Sequence, residues 1–177
     1  NGQPNFETLK PYMPNNLDLS QLAKFMDATF SGRLDEDKIK KLRDLWKGKL
    51  ILKGAESVHD VDKACQLGLD GVIISNHGGR QVDVGQATID SLKTIAPLYG
   101  GKIKIMMDSG IRGGADVARV LANGAEFTFM GRTFMYGVSA LGKRGGTHTI
   151  AMLKKQLTQI MEQLSCSQVS DFLKTRV

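Results

Sequence analysis

The stretch "GVIISNHGGRQ" (71–81) joins two kinds of chain in eleven residues. Gly71–Ser75 is short, β-branched and uncharged, the composition of a strand covered on both faces. Asn76–Gln81 then offers a histidine, two glycines and an arginine where a plain turn would do. Parallel α/β sheets bind ligands at the C-terminal ends of their strands, where loops converge and helix N-termini point. If 71–75 is such a strand, these residues occupy that end, and the rest of the chain is expected to repeat the pattern.

Working outward, "KLILKG" (49–54), "IKIMMD" (103–108) and "EFTFMG" (126–131) are three further apolar runs, each ending in glycine or a polar residue. With 71–75 they read as four strands buried on both faces. Between them, "SVHDVDKACQLG" (57–68), "GQATIDSLKTIAPLYG" (85–100) and "GGADVARVLANG" (113–124) have helical patterns, the last closed by a glycine suited to a C-cap. After the fourth run, Ile150, Leu153, Leu157, Ile160 and Leu164 form one apolar stripe of a further helix. Strand starts separated by 22 to 32 residues, with helices between, imply βα units and a parallel sheet.

Upstream, "DEDKIKKLRDLWKG" (35–48) reads as a helix feeding the first strand, and "LDLSQLAKFMDATF" (17–30) as an amphipathic segment. The first 16 residues hold three of the four prolines and read as loop or linker. A closed eight-unit barrel takes about 250 residues, so four units make half of one. An open doubly wound sheet fits the length; a half barrel fits the placing of the motifs.

Composition narrows the function classes. The chain has 177 residues, 41% hydrophobic and 24% charged, enough apolar mass for a core. It contains no run of the ~20 apolar residues a membrane helix needs, and "NGQPNFETLK" (1–10) lacks a secretory pattern. It opens without methionine, which reads as a fragment, a processed chain or a trimmed one. Cys65 and Cys166 are far apart and carry neither disulfide nor metal-ligand spacing, so both read as reduced thiols in a cytoplasmic setting. The net charge of +6 is spread along the chain with at most two basic residues adjacent, which argues against a nucleic-acid surface.

The residues with chemistry fall at strand ends. Lys53 ends the first strand; Ser75, His77 and Arg80 follow the second; Asp108, Ser109, Gly110, Ile111 and Arg112 follow the third; Gly131 and Arg132 follow the fourth. A single strand-end lysine or "GR" pair means little, and "DSGIRGG" (108–114) alone could be an ordinary turn. Four such features at consecutive strand ends are harder to dismiss. The glycine loop suits an anion, because open backbone N–H groups, a helix N-terminus and Arg112 would surround it. His59 and His148 have no such neighbours and read as surface residues. Met106, Met107, Met130, Met135, Met152 and Met161 read as core filling, and Trp46 and Phe127 as core aromatics.

"ILKG", "SNHGGRQ", "DSGIRGG" and "GR", in this order and spacing, resemble the FMN-dependent α-hydroxy-acid dehydrogenases and oxidases, which include glycolate oxidase, lactate oxidase and mandelate dehydrogenase. The resemblance covers residues 35–177. It implies a (β/α)₈ TIM barrel of which this chain supplies strands five to eight, with residues 1–34 in the variable segment before them. The half that in the family supplies further flavin contacts, a substrate-binding tyrosine and an aspartate partner for the histidine lies outside the chain.

By the same resemblance, His77 is the general base for oxidation of an L-2-hydroxy acid and Arg80 holds the substrate carboxylate. Lys53 lies near flavin N1, Ser75 contacts the flavin, and residues 108–112 with Gly131 and Arg132 take the ribityl chain and phosphate of FMN. The expected partners are a small 2-hydroxy acid and a complementary N-terminal half barrel or a second copy, with a homo-oligomer for the full-length enzyme. A non-catalytic half barrel keeping a phosphate pocket, and a barrel enzyme using no flavin, are the competing readings.

Overall fold

A computed structural model describes residues 10–13, 17–29 and 34–175. The chain divides into two units, residues 1–38 and 39–177. The first unit contains a short 3₁₀ turn at Lys10–Tyr12, inside the stretch expected to be loop, and helix α1 (Leu19–Thr29). The rest of the 1–16 expectation, and Phe30, lie outside the described residues.

The second unit holds most of α2 (Glu36–Leu45) and then four βα units: β1 (Ile51–Ala55), α3 (Val58–Gln66), β2 (Gly71–Ile74), α4 (Thr88–Tyr99), β3 (Lys104–Met107), α5 (Gly114–Ala122), β4 (Phe127–Thr128) and α6 (Arg132–Leu141), followed by α7 (Gly145–Gln163). The strands are parallel in the order β1-β2-β3-β4. Local signals explain the starts: Ser57 and Asp60 form a reciprocal capping box that opens α3. Helix α6 has no counterpart among the expected helices: Phe134, Val138 and Leu141 stand at helical spacing, but "RTFMYGVSAL" (132–141) is short, holds a glycine at its middle, and starts with no capping side chain or acidic residue.

Strand register sorts the side chains. Val72 and Ile74 of β2 align with Ile105 and Met107 of β3 and pack with Val61 and Ala64 of α3 and Leu92 and Ile95 of α4. That is the core. Alternation sends the intervening residues to the other face, where Lys53, Ile73, Met106 and Phe127 form one row across all four strands. Only β2 and β3 are buried on both faces. The edge strands are not: Ile51 is 44% and Phe127 57% exposed, against the expectation for all four strands.

Other expectations are corrected in the same way. Phe127, on the face opposite the core, is exposed and stacks at a tilt on Phe129, with ring centroids 5.1 Å apart, rather than lying in the core. Trp46, 56% exposed, lies past the end of α2, where its indole N–H donates to the Lys49 carbonyl at 2.9 Å. Met107 fills the core and Met106 is buried on the opposite face of the sheet, but Met135 and Met152 are exposed.

A second cluster joins α5 to α7 and the terminal 3₁₀ segment through Ala118, Leu121, Leu157, Ile160, Leu164 and Phe172. The expected α7 stripe is half right. Its C-terminal part packs there, whereas Ile150 is exposed, because the start of α7 meets α6 through small residues instead. A Cβ on Gly145 would lie 2.2 Å from the Gly137 carbonyl oxygen, and one on Gly137 would lie 2.1 Å from Thr149 Oγ1, so α6 and α7 touch backbone to backbone.

At the opposite end of the sheet from the motifs, the Asp70 carboxylate takes Lys49 at 2.8 Å, Arg43 at 3.1 Å and the Leu50 amide at 2.9 Å. These bonds hold its pKa down at about 2, with the Lys49 contact the largest cause.

Candidate active site

The C-terminal ends of the strands line a cleft of ≈ 570 Å³ that brings together Lys53, His77, Arg80, Asp108–Arg112, Gly131 and Arg132. Of the residues singled out in the sequence only Ser75 is outside it, buried behind Lys53 and His77 in an adjoining cleft of ≈ 400 Å³.

Alternation builds this convergence. Lys53 points to the face of the sheet opposite the core, and Ser75 and Asp108, two positions beyond Ile73 and Met106, point the same way. Lys53 Nζ consequently donates to Ser75 Oγ at 2.8 Å and pairs with Asp108 Oδ2 at 3.1 Å. A register break after Lys53, with Gly54 at φ 98°, lets β1 turn away beyond the lysine.

The histidine turn is unusual backbone. His77, Gly78 and Gly79 all have positive φ, at 56°, 67° and 71°. Glycine accepts this freely and histidine does not, so something must hold His77 there. The Asn76 side chain accepts the Gly78 amide at 3.0 Å, Ser75 Oγ accepts the His77 amide at 3.2 Å, and Ser109 Oγ accepts the Gly78 amide at 3.1 Å. From the fourth strand end, Arg132 donates to the Gly78 carbonyl at 2.9 Å. The His77 and Arg80 side chains are exposed, and among the described residues neither is tied up in a protein hydrogen bond.

The anion end differs from the sequence expectation. The amides at the start of α5 are already taken: Asp116 Oδ2 accepts those of Arg112 (2.9 Å) and Gly113 (3.2 Å), and Gln156 Oε1 accepts that of Gly114 (2.8 Å). Helix α6 starts at Gly131 with no side-chain cap and no acidic residue in its first turn. Its orphan amides, flanked by Arg132, are the open ones. A Cβ at Gly131 or Gly110 would meet nothing within 4 Å.

Residues absent from the sequence expectation hold this shape. Buried Thr88 donates to the Asp108 carbonyl at 3.1 Å, and buried Thr133 to the Arg112 carbonyl at 3.3 Å. No local pattern marks them, since their partners lie about 20 residues away in sequence. Glu56, in the adjoining cleft, has its pKa raised by burial and then by Asp60, and its Oε1 has no partner among the described residues.

The cleft lining has four cations, Lys53, Arg80, Arg112 and Arg132, against one carboxylate, Asp108. That donor set, beside an uncapped helix, fits a phosphate-bearing cofactor together with a carboxylate substrate. Parallel βα units with such a strand-end site define half of a phosphate-binding α/β barrel.

The comparisons specify it. Residues 3–177 match the family model described as FMN-dependent dehydrogenase, and the chain belongs to that family. It is 36% identical over 150 residues to an L-lactate dehydrogenase of Bartonella quintana, covering 85% of this chain and 39% of that one. With an L-lactate dehydrogenase of Actinobacillus pleuropneumoniae it shares 41% over 130 residues, covering 73% and 34%.

Among solved structures, mandelate oxidase with 3,3-difluoro-2-hydroxy-3-phenylpropionic acid superposes with TM-score 0.77 at 29% identity over 80% of this chain and 43% of that one. An L230A flavocytochrome b2 with benzoylformate gives 0.73 at 31% over 78% and 37%. The four βα units are thus the C-terminal half of a (β/α)₈ barrel, and the chain spans about two fifths of the length of the relatives it matches. No described helix is long and apolar enough to cross a membrane.

Proposed function

We propose that this chain supplies the proton-transfer and flavin-phosphate half of an FMN-dependent oxidoreductase that converts a small L-2-hydroxy acid, such as lactate or glycolate, to the 2-oxo acid. The observation that carries the reading is the gathering of His77, Arg80, Lys53, the 108–112 loop and Arg132 on one cleft.

FMN, when bound, accepts the two electrons that leave C2 of the substrate. Every other task falls to side chains. His77 takes the proton, since an imidazole nitrogen can accept one and this ring faces the cleft without a competing partner. Arg80 holds the substrate carboxylate in a planar fork, fixing C2 against the acceptor. Lys53, steadied by Ser75 and Asp108, places a fixed positive charge where the acceptor gains negative charge. Arg112, Arg132 and the amides from Gly131 onward take the phosphate, and Asp108 and Gly110 the ribityl chain. Ser75, behind the lysine, acts on the flavin through Lys53 as well as by its own hydroxyl.

In this reading residues 1–34 are a separate segment preceding the half barrel. The remaining flavin and substrate contacts come from a complementary half barrel, in a homo-oligomeric enzyme of the cytoplasm or the membrane surface. The test is a visible spectrum of the FMN-holding preparation. L-Lactate or glycolate should bleach the yellow band, and His77→Asn should keep the band but bleach it on the order of 10² to 10⁴ more slowly. Bleaching at the unaltered rate would remove His77 from this role.

A further inference from the structure

The two peptide N–H groups that flank the His77 Cα are held by two serine hydroxyls, and both serines lead back to one ion pair. His77 N–H donates to Ser75 Oγ, which also receives Lys53. Gly78 N–H donates to Ser109 Oγ at 3.1 Å and shares its hydrogen with Asn76 Oδ1 at 3.0 Å. Ser109 in turn donates its own hydroxyl hydrogen to Asp108 Oδ1 at 2.7 Å, and Asp108 Oδ2 takes Lys53 at 3.1 Å. The polarity is forced: a carboxylate oxygen only accepts, so the Ser109 hydrogen points to it and the lone pairs face the Gly78 amide.

Ser109 itself occupies φ 73°, a conformation that favours glycine. A serine there costs backbone strain that a glycine would not, and what it adds is a hydroxyl within reach of the histidine turn.

We infer that Ser109 is a positioning residue for His77: its hydroxyl carries the Lys53–Asp108 ion pair through to the peptide after the histidine and holds His77 in its left-handed conformation. Ser109, expected from the sequence only as part of a cofactor loop, thereby couples the group that steadies charge to the group that takes the proton. The inference deepens the functional reading of His77 and rests on it for its meaning in the reaction.

The test needs no flavin. In ¹H–¹⁵N spectra of the full chain, the Gly78 amide is expected to be protected from exchange, and Ser109→Ala and Ser109→Gly both to speed its exchange about two- to fivefold, the Asn76 acceptor being left to hold it alone. The His77 Cα and Cβ shifts move toward the ordinary right-handed region in both variants, while the Ile105 amide in β3 is unaffected.

Ser109→Gly separates this from a merely structural role, because glycine relieves the strain at that position and only the lost hydroxyl can release the turn. The inference is overturned if Gly78 exchanges at the free-peptide rate in the unaltered chain, or if neither variant changes Gly78 exchange and the His77 shifts. In the FMN-holding preparation both variants lower kcat severalfold with KM for the hydroxy acid unchanged. A His77→Asn variant that still reduced flavin would sink the base assignment alone and leave the exchange result standing.

Discussion

At the scale of single residues, the site divides between groups left exposed to meet small molecules and groups occupied with one another. Arg80 belongs to the first set and Lys53 to the second, so their substitutions separate. Arg80→Lys keeps the charge but loses the planar fork, and KM for the hydroxy acid is expected to rise at least tenfold with FMN affinity unchanged. Lys53→Met strips a partner from both Ser75 and Asp108 and is expected to weaken FMN binding or slow its reduction, with KM little altered. Titrating FMN by fluorescence quenching alongside steady-state kinetics checks both, and matching effects would argue against separate roles. The histidine, the arginine and the lysine were legible in the sequence because each stands at a strand end beside glycine. Thr88, Thr133, Asp116 and Gln156 were not, because each acts on backbone brought close only by the fold.

At the scale of elements, legibility followed burial. β2 and β3 and their helices were readable because short apolar runs, each ending in a polar residue, alternate with helical patterns. The edge strands were read as more buried than they are, because an apolar run does not say which neighbour covers it. Helix α6 escaped because it is short and starts without a capping side chain, and its packing on α7 depends on glycines, which read as turn signals in a sequence.

The Asp70 clamp, which ties α2, β1 and the start of β2, makes an element-level prediction. Its folded pKa lies below the ordinary value of 3.8, so its stabilising effect is present above that value and is lost as pH falls through about 2. Asp70→Asn is expected to lower Tm at neutral pH and to converge on the unaltered chain by pH ~2. A Tm difference that stays constant across that range would show that the carboxylate charge is not what the clamp uses.

At the scale of the whole molecule, among the described residues four parallel strands leave β1 and β4 each with an unpaired edge, and the row Lys53, Ile73, Met106 and Phe127 lies on the face opposite the core. Unpaired parallel edges and uncovered aromatic residues such as Phe127 and Phe129 favour association. Mixing this chain with a complementary half barrel is expected to give a stable complex and to raise FMN affinity at least tenfold over the chain alone, read by light scattering after size exclusion and by the visible band. A chain that stayed monomeric in the mixture while binding FMN and oxidising lactate would show that half the scaffold suffices.

The contact of Gly137 with Gly145 also bears on redesign of the site. Helix α6, whose first-turn amides are uncapped, lies against α7 through the Gly137–Gly145 backbone contact and the buried Thr149, so that wall has no slack to be repacked. Residues 80–87, on the other side of the histidine turn, are all exposed. An engineer seeking room for a bulkier hydroxy acid would find one wall set in place and the other free to be rewritten, and a library confined to 81–87 is where altered selectivity would come at least expense in folding.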